Sequence, residues 1–197
     1  GDAHLGFLRR IGVSGPVEPP RPEFRRSSDE FFRRLASMPT PTDRWIRVTR
    51  NQLLHQYGSF LGLARVSGDE TLQRRLQASL ALARENYFAS TGMAESLVQY
   101  GTGRAHWEEA SSLLRESQNR RDETLDAERL GREAYLRGFV AFRLGNPEEA
   151  TREFRRSLEI DSRPANGAHL ALQQIAQLSR GPGAPAQGGA ERATRKP

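Results

Sequence analysis

The sequence predicts an all-α fold built from antiparallel helical hairpins, and three features point to it. Apolar residues recur at intervals of three and four across most of residues 41–180, which is the spacing of one helical face. Asparagine, aspartate, serine or threonine precedes several of these stretches, where a helix needs a cap. Glycine follows others, where the chain can take up the left-handed conformation that ends a helix.

The clearest hairpin lies in residues 131–164. Its first helix places small or apolar residues on one face: Ala134, Gly138, Ala141 and Phe142. Gly145 then supplies a left-handed residue, and Asn146 and Pro147 suit the cap and the first position of the next helix. The second helix has a similar face, made of Ala150, Phe154, Ser157 and Leu158. The pattern predicts two helices that bury their inner faces against further elements.

This hairpin resembles a tetratricopeptide repeat, a helix–turn–helix unit of about 34 residues. The matching residues are Gly138, the turn Leu144-Gly145-Asn146, Glu149-Ala150, Phe154, Ser157, Leu158 and Ile160-Asp161. Departures from the repeat occur at Arg137, at Ala134 and at Ser162, with the closing proline delayed to Pro164. The resemblance implies a short solenoid of stacked hairpins closed by a C-terminal capping helix.

A weaker copy of the same pattern precedes this hairpin by 40 residues. The run Trp107-Glu108-Glu109-Ala110 recurs as Pro147-Glu148-Glu149-Ala150, and Leu114 and Ser117 then mirror Phe154 and Ser157. An offset of 40 requires extra residues, which we expect in a longer helix or loop within 118–130. The alternative is a chance recurrence in helices rich in arginine, glutamate and alanine.

Residues 41–90 are expected to form a longer hairpin at the N-terminal end. Thr40 and Asp43 have the spacing of a capping box, and the helix that follows reaches about Val66. Its inward stripe is predicted to be Ile46, Leu53, Tyr57, Phe60, Leu61 and Ala64. Residues 67–70 end this helix and cap a second one, whose inward face is predicted to be Leu72, Leu76, Leu80, Ala83 and Tyr87. A degenerate repeat and an N-terminal capping hairpin are both open interpretations.

Residues 91–180 are expected to hold the repeats and the capping helix. Thr91-Gly92 is predicted to break the chain before a short helix over 93–100, and Gly101 and Gly103 lead into the helix of Trp107. The capping helix is predicted from the amphipathic spacing of His169, Leu170, Leu172, Ile175 and Leu178. It would cover the exposed face of the last repeat.

The two ends of the chain have the composition of tails. Residues 1–40 are predicted to be extended, apart from a short helix over 29–37 that Ser27 and Glu30 would open as a capping box. Within this segment, Leu5, Leu8 and Ile11 could dock on a partner or on the chain's own groove, or belong to a mobile tail. Residues 181–197 are rich in glycine, alanine and proline and are predicted to be disordered.

Composition excludes several classes of protein. There is no apolar run long enough to span a bilayer and no charged-then-apolar leader, so a cytoplasmic location is favoured over a periplasmic or organellar one, with a removed targeting segment left open. Cysteine is absent, which excludes disulfides and thiolate catalysis. The net charge of +6 comes almost wholly from arginine, since Lys196 is the only lysine. These arginines alternate with acidic residues and form no block, so nucleic acid is a less favoured ligand than protein.

The sequence offers little for catalysis, metal binding or a cofactor. The histidines lie far apart, and His106 with Glu109 would give only two metal ligands on one helix face. Gly101-Thr102-Gly103 lacks the lysine of a phosphate-binding loop. Paired glutamates at 108/109 and 148/149 are explained as first-turn charges that favour the helix dipole. We therefore expect no enzymatic activity, no metal and no cofactor.

The resemblance implies a concave groove lined by the first helix of each hairpin. Its predicted residues are Arg132, Tyr135, Phe139 and Arg143 in the clearer copy, Glu95 and Gln99 in the weaker copy, and His169 and Gln173 in the capping helix. Tyr135 and Phe139 would anchor apolar groups, while Arg132 and Arg143 would bind carboxylates. The alternative is that Tyr135 and Phe139 simply pack between helical layers.

Three functions are compatible with this sequence. The favoured one is a non-enzymatic adaptor or assembly factor that binds a segment of a partner protein in the groove. A basic accessory protein that binds RNA or DNA is the second, and its binding would weaken steeply with salt. The third is a structural subunit buried in a large assembly.

Overall fold

The computed structural model describes residues 22–121, 125–163 and 166–180, with the side chains that lie between residues 29 and 178. These residues form nine α-helices and no strand, which confirms the predicted all-α class. The helices are α1 (Pro22–Ser37), α2 (Arg44–Val66), α3 (Glu70–Arg75), α4 (Gln77–Arg84), α5 (Tyr87–Tyr100), α6 (Arg104–Gln118), α7 (Ala127–Arg143), α8 (Pro147–Ile160) and α9 (Ala168–Arg180). The apolar segment around Leu5 and the tail 181–197 lie outside the described residues.

Both capping boxes predicted near the N-terminus are wrong. The helix expected to begin at Asp29 begins seven residues earlier at Pro22, which suits the first position of a helix because it has no N–H to satisfy. Thr40 does not cap α2, since Asp43 does so itself: its carboxylate accepts a hydrogen bond of 2.9 Å from the amide of Ile46. Asp69 caps α3 in the same way through the amide of Leu72, as predicted.

The second half of the predicted N-terminal hairpin is interrupted. Residues 70–84 form two short helices, α3 and α4, that meet at Leu76, and Asn86 caps a new helix. Helix α5 then runs unbroken through Thr91-Gly92, so the predicted break is wrong. Gly92 allows a close approach rather than a turn, because a Cβ there would lie 2.1 Å from the carbonyl oxygen of His55.

Helix α2 packs along α5, and glycines bring the two backbones together. A Cβ on Gly58 would lie 2.0 Å from the carbonyl oxygen of Ala89, and one on Gly62 would lie 2.6 Å from that of Met93. From the first contact to the second, the residue number rises by four in both helices, so α2 and α5 run parallel. The short helices α3 and α4 carry the chain back between them.

The buried face of α2 is rotated from the predicted one. Its buried residues are Arg50, Asn51, Leu54, Gly58, Leu61, Gly62 and Ala64. The predicted inward residues Ile46, Leu53 and Phe60 are instead exposed, by 58%, 37% and 39%. Gly58 and Gly62 explain which face is buried. The backbone of α5 can approach α2 closely only on the face where these two glycines lie.

The predicted hairpin at residues 131–164 agrees with α7 and α8. Gly145 has a φ of +87°, Asn146 and Pro147 begin α8, and the aromatic ring of Phe154 packs on Gly138. The buried small and apolar residues include Ala134, Gly138, Ala141, Ala150, Phe154 and Ser157. Phe142 was predicted to face inward, but it is exposed, because it follows Ala141 round the helix by about 100°.

The weaker copy buries equivalent residues in α6. Ala110, Leu114 and Ser117 are fully buried, as are their counterparts Ala150 and Ser157 forty residues later. Helix α6 ends at Gln118 and α7 begins at Ala127, so the connection between them lies within the range 118–130 where extra residues were predicted, and the structure describes residues 119–121 and 125–126 of it.

Two apolar clusters join the helices. The larger one extends from Phe32 in α1 to Val140 in α7, and the smaller one joins α7, α8 and α9 through Ala141, Phe154 and Ile175. Helix α9 packs on α8, the position expected for the capping helix.

Candidate partner-binding groove

Glu95 lies at the point where α2, α5 and α7 meet. Its carboxylate is 3.3 Å from Nε2 of His55 on α2, and it forms an ion pair with the guanidinium of Arg132 on α7. The Glu95 side chain is 22% exposed, so these contacts lie at the surface edge of the core. Of the predicted groove residues, Glu95 and Arg132 are therefore brought together directly.

Two neighbouring side chains, His55 and Arg132, control the ionisation of Glu95. Burial alone would raise the pKa of this carboxyl, but the hydrogen bond from His55 and the charge and hydrogen bond of Arg132 lower it to about 2. Because the pKa is lowered in the folded state, Glu95 contributes stability that is present above its ordinary value of 4.5 and lost as the pH falls through about 2.

We expect Glu95→Gln to reveal this contribution in acid. Above pH 4.5 the native protein should be more stable than the variant by roughly 3 kcal/mol, and the two should converge as the pH falls to about 2. Urea unfolding at a series of pH values measures the difference. A difference that stays constant across this range would contradict the assigned contacts.

Aromatic and arginine side chains continue from Glu95 along α7. The guanidinium carbon of Arg132 lies 5.2 Å from the ring centre of Tyr135, and the rings of Tyr135 and Phe139 are 6.4 Å apart. Arg143 then stands over two rings, at 5.1 Å from Phe139 and 5.4 Å from Trp107 of α6. We call His55, Glu95, Arg132, Tyr135, Phe139 and Arg143 the side-chain row.

Tyr135 and Phe139 also serve the packing of the core. Both are half-buried and contact both apolar clusters, and the ring of Tyr135 is 5.5 Å from that of Phe154. Packing between layers, the alternative considered for these two rings, is therefore part of their role. Their remaining exposed surface lies in the row between Arg132 and Arg143.

Three of the predicted groove residues lie outside the side-chain row. Gln99, His169 and Gln173 are exposed, and the ion pairs and ring contacts of the row do not include them. The start of α9 does reach the row, because Gly167 lies against the ring of Tyr135. His169 follows Gly167 by two residues.

Sequence patterns did not single out His55 or Trp107 as parts of this surface. His55 joins it because α2 runs beside α5, and the signal for that packing is the pair of glycines one turn apart, Gly58 and Gly62. Trp107 joins it through the stacking of Arg143, which no local pattern predicts.

A second charged cluster lies deeper, between α5, α7 and the end of α6. Glu133 is only 1% exposed, and its carboxylate accepts hydrogen bonds from the hydroxyl of Tyr87 at 2.9 Å and from Arg121 at 2.8 and 3.0 Å. Arg137 pairs with the same carboxylate. Burial and the charge of Glu133 raise the pKa of Tyr87, which keeps its hydroxyl a donor. With its oxygens occupied, Glu133 has the role of a structural anchor.

The described residues offer no further chemistry that would indicate catalysis. No three histidine, cysteine, aspartate or glutamate side chains come close enough there to hold a metal ion. Each helix in these ranges is too short or too polar to cross a bilayer.

Comparisons with known proteins give no relative from which a function could be transferred. The chain matches no family model, and neither the curated proteins nor the solved structures contain a match to it.

Proposed function

We propose that this protein is a non-enzymatic adaptor or assembly factor of the tetratricopeptide-repeat kind, which binds a segment of a partner protein. The observation that carries the proposal is the side-chain row, which crosses three helices at the surface and places two aromatic rings between the guanidinium groups of Arg132 and Arg143. A row of this composition suits an extended or helical peptide that presents apolar and acidic side chains.

The helix contacts support a stack of repeated hairpins. The hydroxyl of Ser90 in α5 donates a hydrogen bond to the carbonyl oxygen of Leu113 in α6, and Gly101 contacts His106. Along α5 the residue number rises from the first contact to the second, while along α6 it falls, so these two helices are antiparallel. The hairpin of α7 and α8 has the same form. In such a stack, the first helix of each hairpin lies beside the first helix of the next hairpin, as α2 lies beside α5. The side-chain row runs across these first helices, α2, α5 and α7.

Arg143 is the residue of the row best suited to hold an acidic group. It is exposed, and no described carboxylate forms an ion pair with it. Its guanidinium already contacts the rings of Phe139 and Trp107, which reduces the conformational freedom that Arg143 would lose on binding. Arg132, by contrast, already neutralises Glu95.

Many other arginines are already paired, which favours a protein partner over nucleic acid. Arg65 and Arg84 both bind Glu109, and Arg121 binds Glu133. Arginines in such pairs are poorly placed to release counterions from a phosphate backbone.

We expect Phe139→Ala/Arg143→Glu to weaken binding to the partner at least ten-fold, roughly 1.4 kcal/mol or more, because it removes an anchor and reverses a charge. The measurement is capture from nuclease-treated lysate of the native host, followed by titration of the captured protein. Arg155→Glu/Leu170→Ala is the matched control, since both residues are exposed on α8 and α9 and lie outside the row.

The outcomes separate the candidate functions. Retention by the native chain and the control at raised salt, with loss in the row variant, supports the proposal. Equal retention by all three proteins places the binding surface elsewhere. Capture that nuclease or salt abolishes favours the nucleic-acid alternative.

A further inference from the structure

The exposed face of α2 carries no charge, although 27% of the residues in the chain are charged. Eight exposed residues share this face: Trp45, Ile46, Thr49, Gln52, Leu53, Gln56, Phe60 and Leu63. Trp45 is 80% exposed, and Leu63 is 39% exposed. The arginines of α2 lie outside this arc of the helix. We call these eight residues the α2 stripe.

The spacing of the α2 stripe is that of a helix-pairing seam. Ile46, Leu53 and Phe60 recur every seven residues, and Thr49, Gln56 and Leu63 occupy the intervening positions of the same heptads. Such a seam contacts one straight helix along its whole length. From Ile46 to Leu63, the seam on α2 is about 26 Å long.

The helices of this chain cover other sides of α2. Helix α1 stacks Phe32 on Tyr57 at 4.0 Å between ring centres, and α5 packs on Gly58 and Gly62. Helix α3 contacts α2 near the C-terminal end of α2, where Arg65 donates a hydrogen bond to the side chain of Gln73. None of the described helices therefore covers the α2 stripe.

We infer that the α2 stripe binds the α2 stripe of a second copy of this chain, in an antiparallel pair. The heptads are self-complementary in that direction. Ile46 faces Leu63 of the second copy, Thr49 faces its Phe60, and Leu53 faces its Gln56. The two-fold axis lies between residues 54 and 55, and a two-fold interface requires this self-complementarity.

Charges at the ends of α2 favour the same arrangement. Arg44 and Arg47 stand at its N-terminal end and Asp69 and Glu70 just beyond its C-terminal end, and none of the four forms an ion pair with a described residue. The antiparallel pair places the arginines of one copy at the same end as the acids of the other. It also sets the opposite ends of the two helix dipoles side by side, whereas a parallel pair would bring the arginines together.

The first test uses single cysteines, which are unique because the chain has none. In the antiparallel pair the two copies of residue 56 lie close to the two-fold axis, whereas the two copies of residue 44 are about 31 Å apart. A short bismaleimide should therefore link Gln56→Cys into a covalent dimer and leave Arg44→Cys monomeric. Linkage of both would overturn the antiparallel register, and linkage of neither would overturn the pairing.

The second test is the mass of the protein in solution, measured by sedimentation equilibrium over a range of concentrations. The native chain should form dimers that persist at raised salt, and Leu53→Glu should raise the dissociation constant at least ten-fold without changing helix content. Leu170→Glu on α9 is the control, since Leu170 is even more exposed than Leu53, at 65% against 37%, and it should leave the dissociation constant unchanged. A native chain that stays monomeric throughout overturns the inference and leaves the α2 stripe for residues 4–11 or another protein.

Discussion

Glu133→Ala should lower the free energy of unfolding by about 3 to 5 kcal/mol, the largest loss we expect from a single charged residue in this protein. The carboxylate is 1% exposed and pairs with two arginines whose side chains are 28% and 16% exposed. Without it, Arg121 and Arg137 keep their desolvated charges but lose the partner that offsets them. Urea unfolding followed by circular dichroism measures the change.

Two further substitutions make the test of Glu133 specific. Tyr87→Phe removes one hydrogen bond to the carboxylate and should cost about 1 kcal/mol. Arg104→Ala breaks an ion pair on the exposed face of α6 and should cost no more than about 0.5 kcal/mol. Similar losses for Glu133→Ala and Arg104→Ala would show that the buried cluster is not an anchor.

Gly58→Ala should lower the free energy of unfolding by about 3 kcal/mol, although replacing glycine with alanine inside a helix usually raises it. In an ordinary helix, alanine is favoured over glycine by about 1 kcal/mol. Here the new Cβ would lie 2.0 Å from the carbonyl oxygen of Ala89, so the backbones of α2 and α5 would have to separate along their parallel contact. Thermal and urea unfolding measure the loss.

Gly103→Ala is the matched control for the glycine contact. A Cβ at Gly103 meets no atom within 4 Å, and its φ of −143° is open to any residue. Because Gly103 is the N-cap of α6, where glycine is favoured over alanine, the change should cost no more than about 1 kcal/mol. If Gly58→Ala were as well tolerated as Gly103→Ala, the close packing of α2 on α5 would be wrong.

Local signals predicted the part of the fold where each helix pairs with its neighbour in sequence. Gly145, Asn146 and Pro147 determine the turn between α7 and α8 through their own backbone preferences, so the hairpin could be derived residue by residue. The same signals were ambiguous at Gly92. A glycine can end a helix or admit another backbone, and only the long-range contact with His55 distinguishes the two.

The orientation of α2 was missed for a related reason. Its apolar residues occupy two separate faces, one against the core and one in the α2 stripe, and a search for a single inward stripe merges them. The residues predicted to be buried therefore included Leu53 and Phe60, which are exposed. A helix that serves two contacts cannot be oriented from periodicity alone.

The candidate groove was predictable to the extent that the repeat pattern assigns faces to helices. That assignment named Glu95, Arg132 and the α7 side chains, which the structure brings into one row. His55 and Trp107 come from the packing of whole helices, which a single sequence does not specify. Gln99, His169 and Gln173 are at the surface, and their part in binding stays a prediction.

The most direct measurement of the central proposal is site-specific photocrosslinking from the side-chain row. A photoreactive phenylalanine analogue replaces Phe139 in one sample and Arg155, on the exposed face of α8, in a matched one. In nuclease-treated host lysate, we expect one protein to be linked from position 139 and not from position 155. Adducts of equal yield at both positions, or none at position 139, would contradict the assignment of this groove as the partner-binding site.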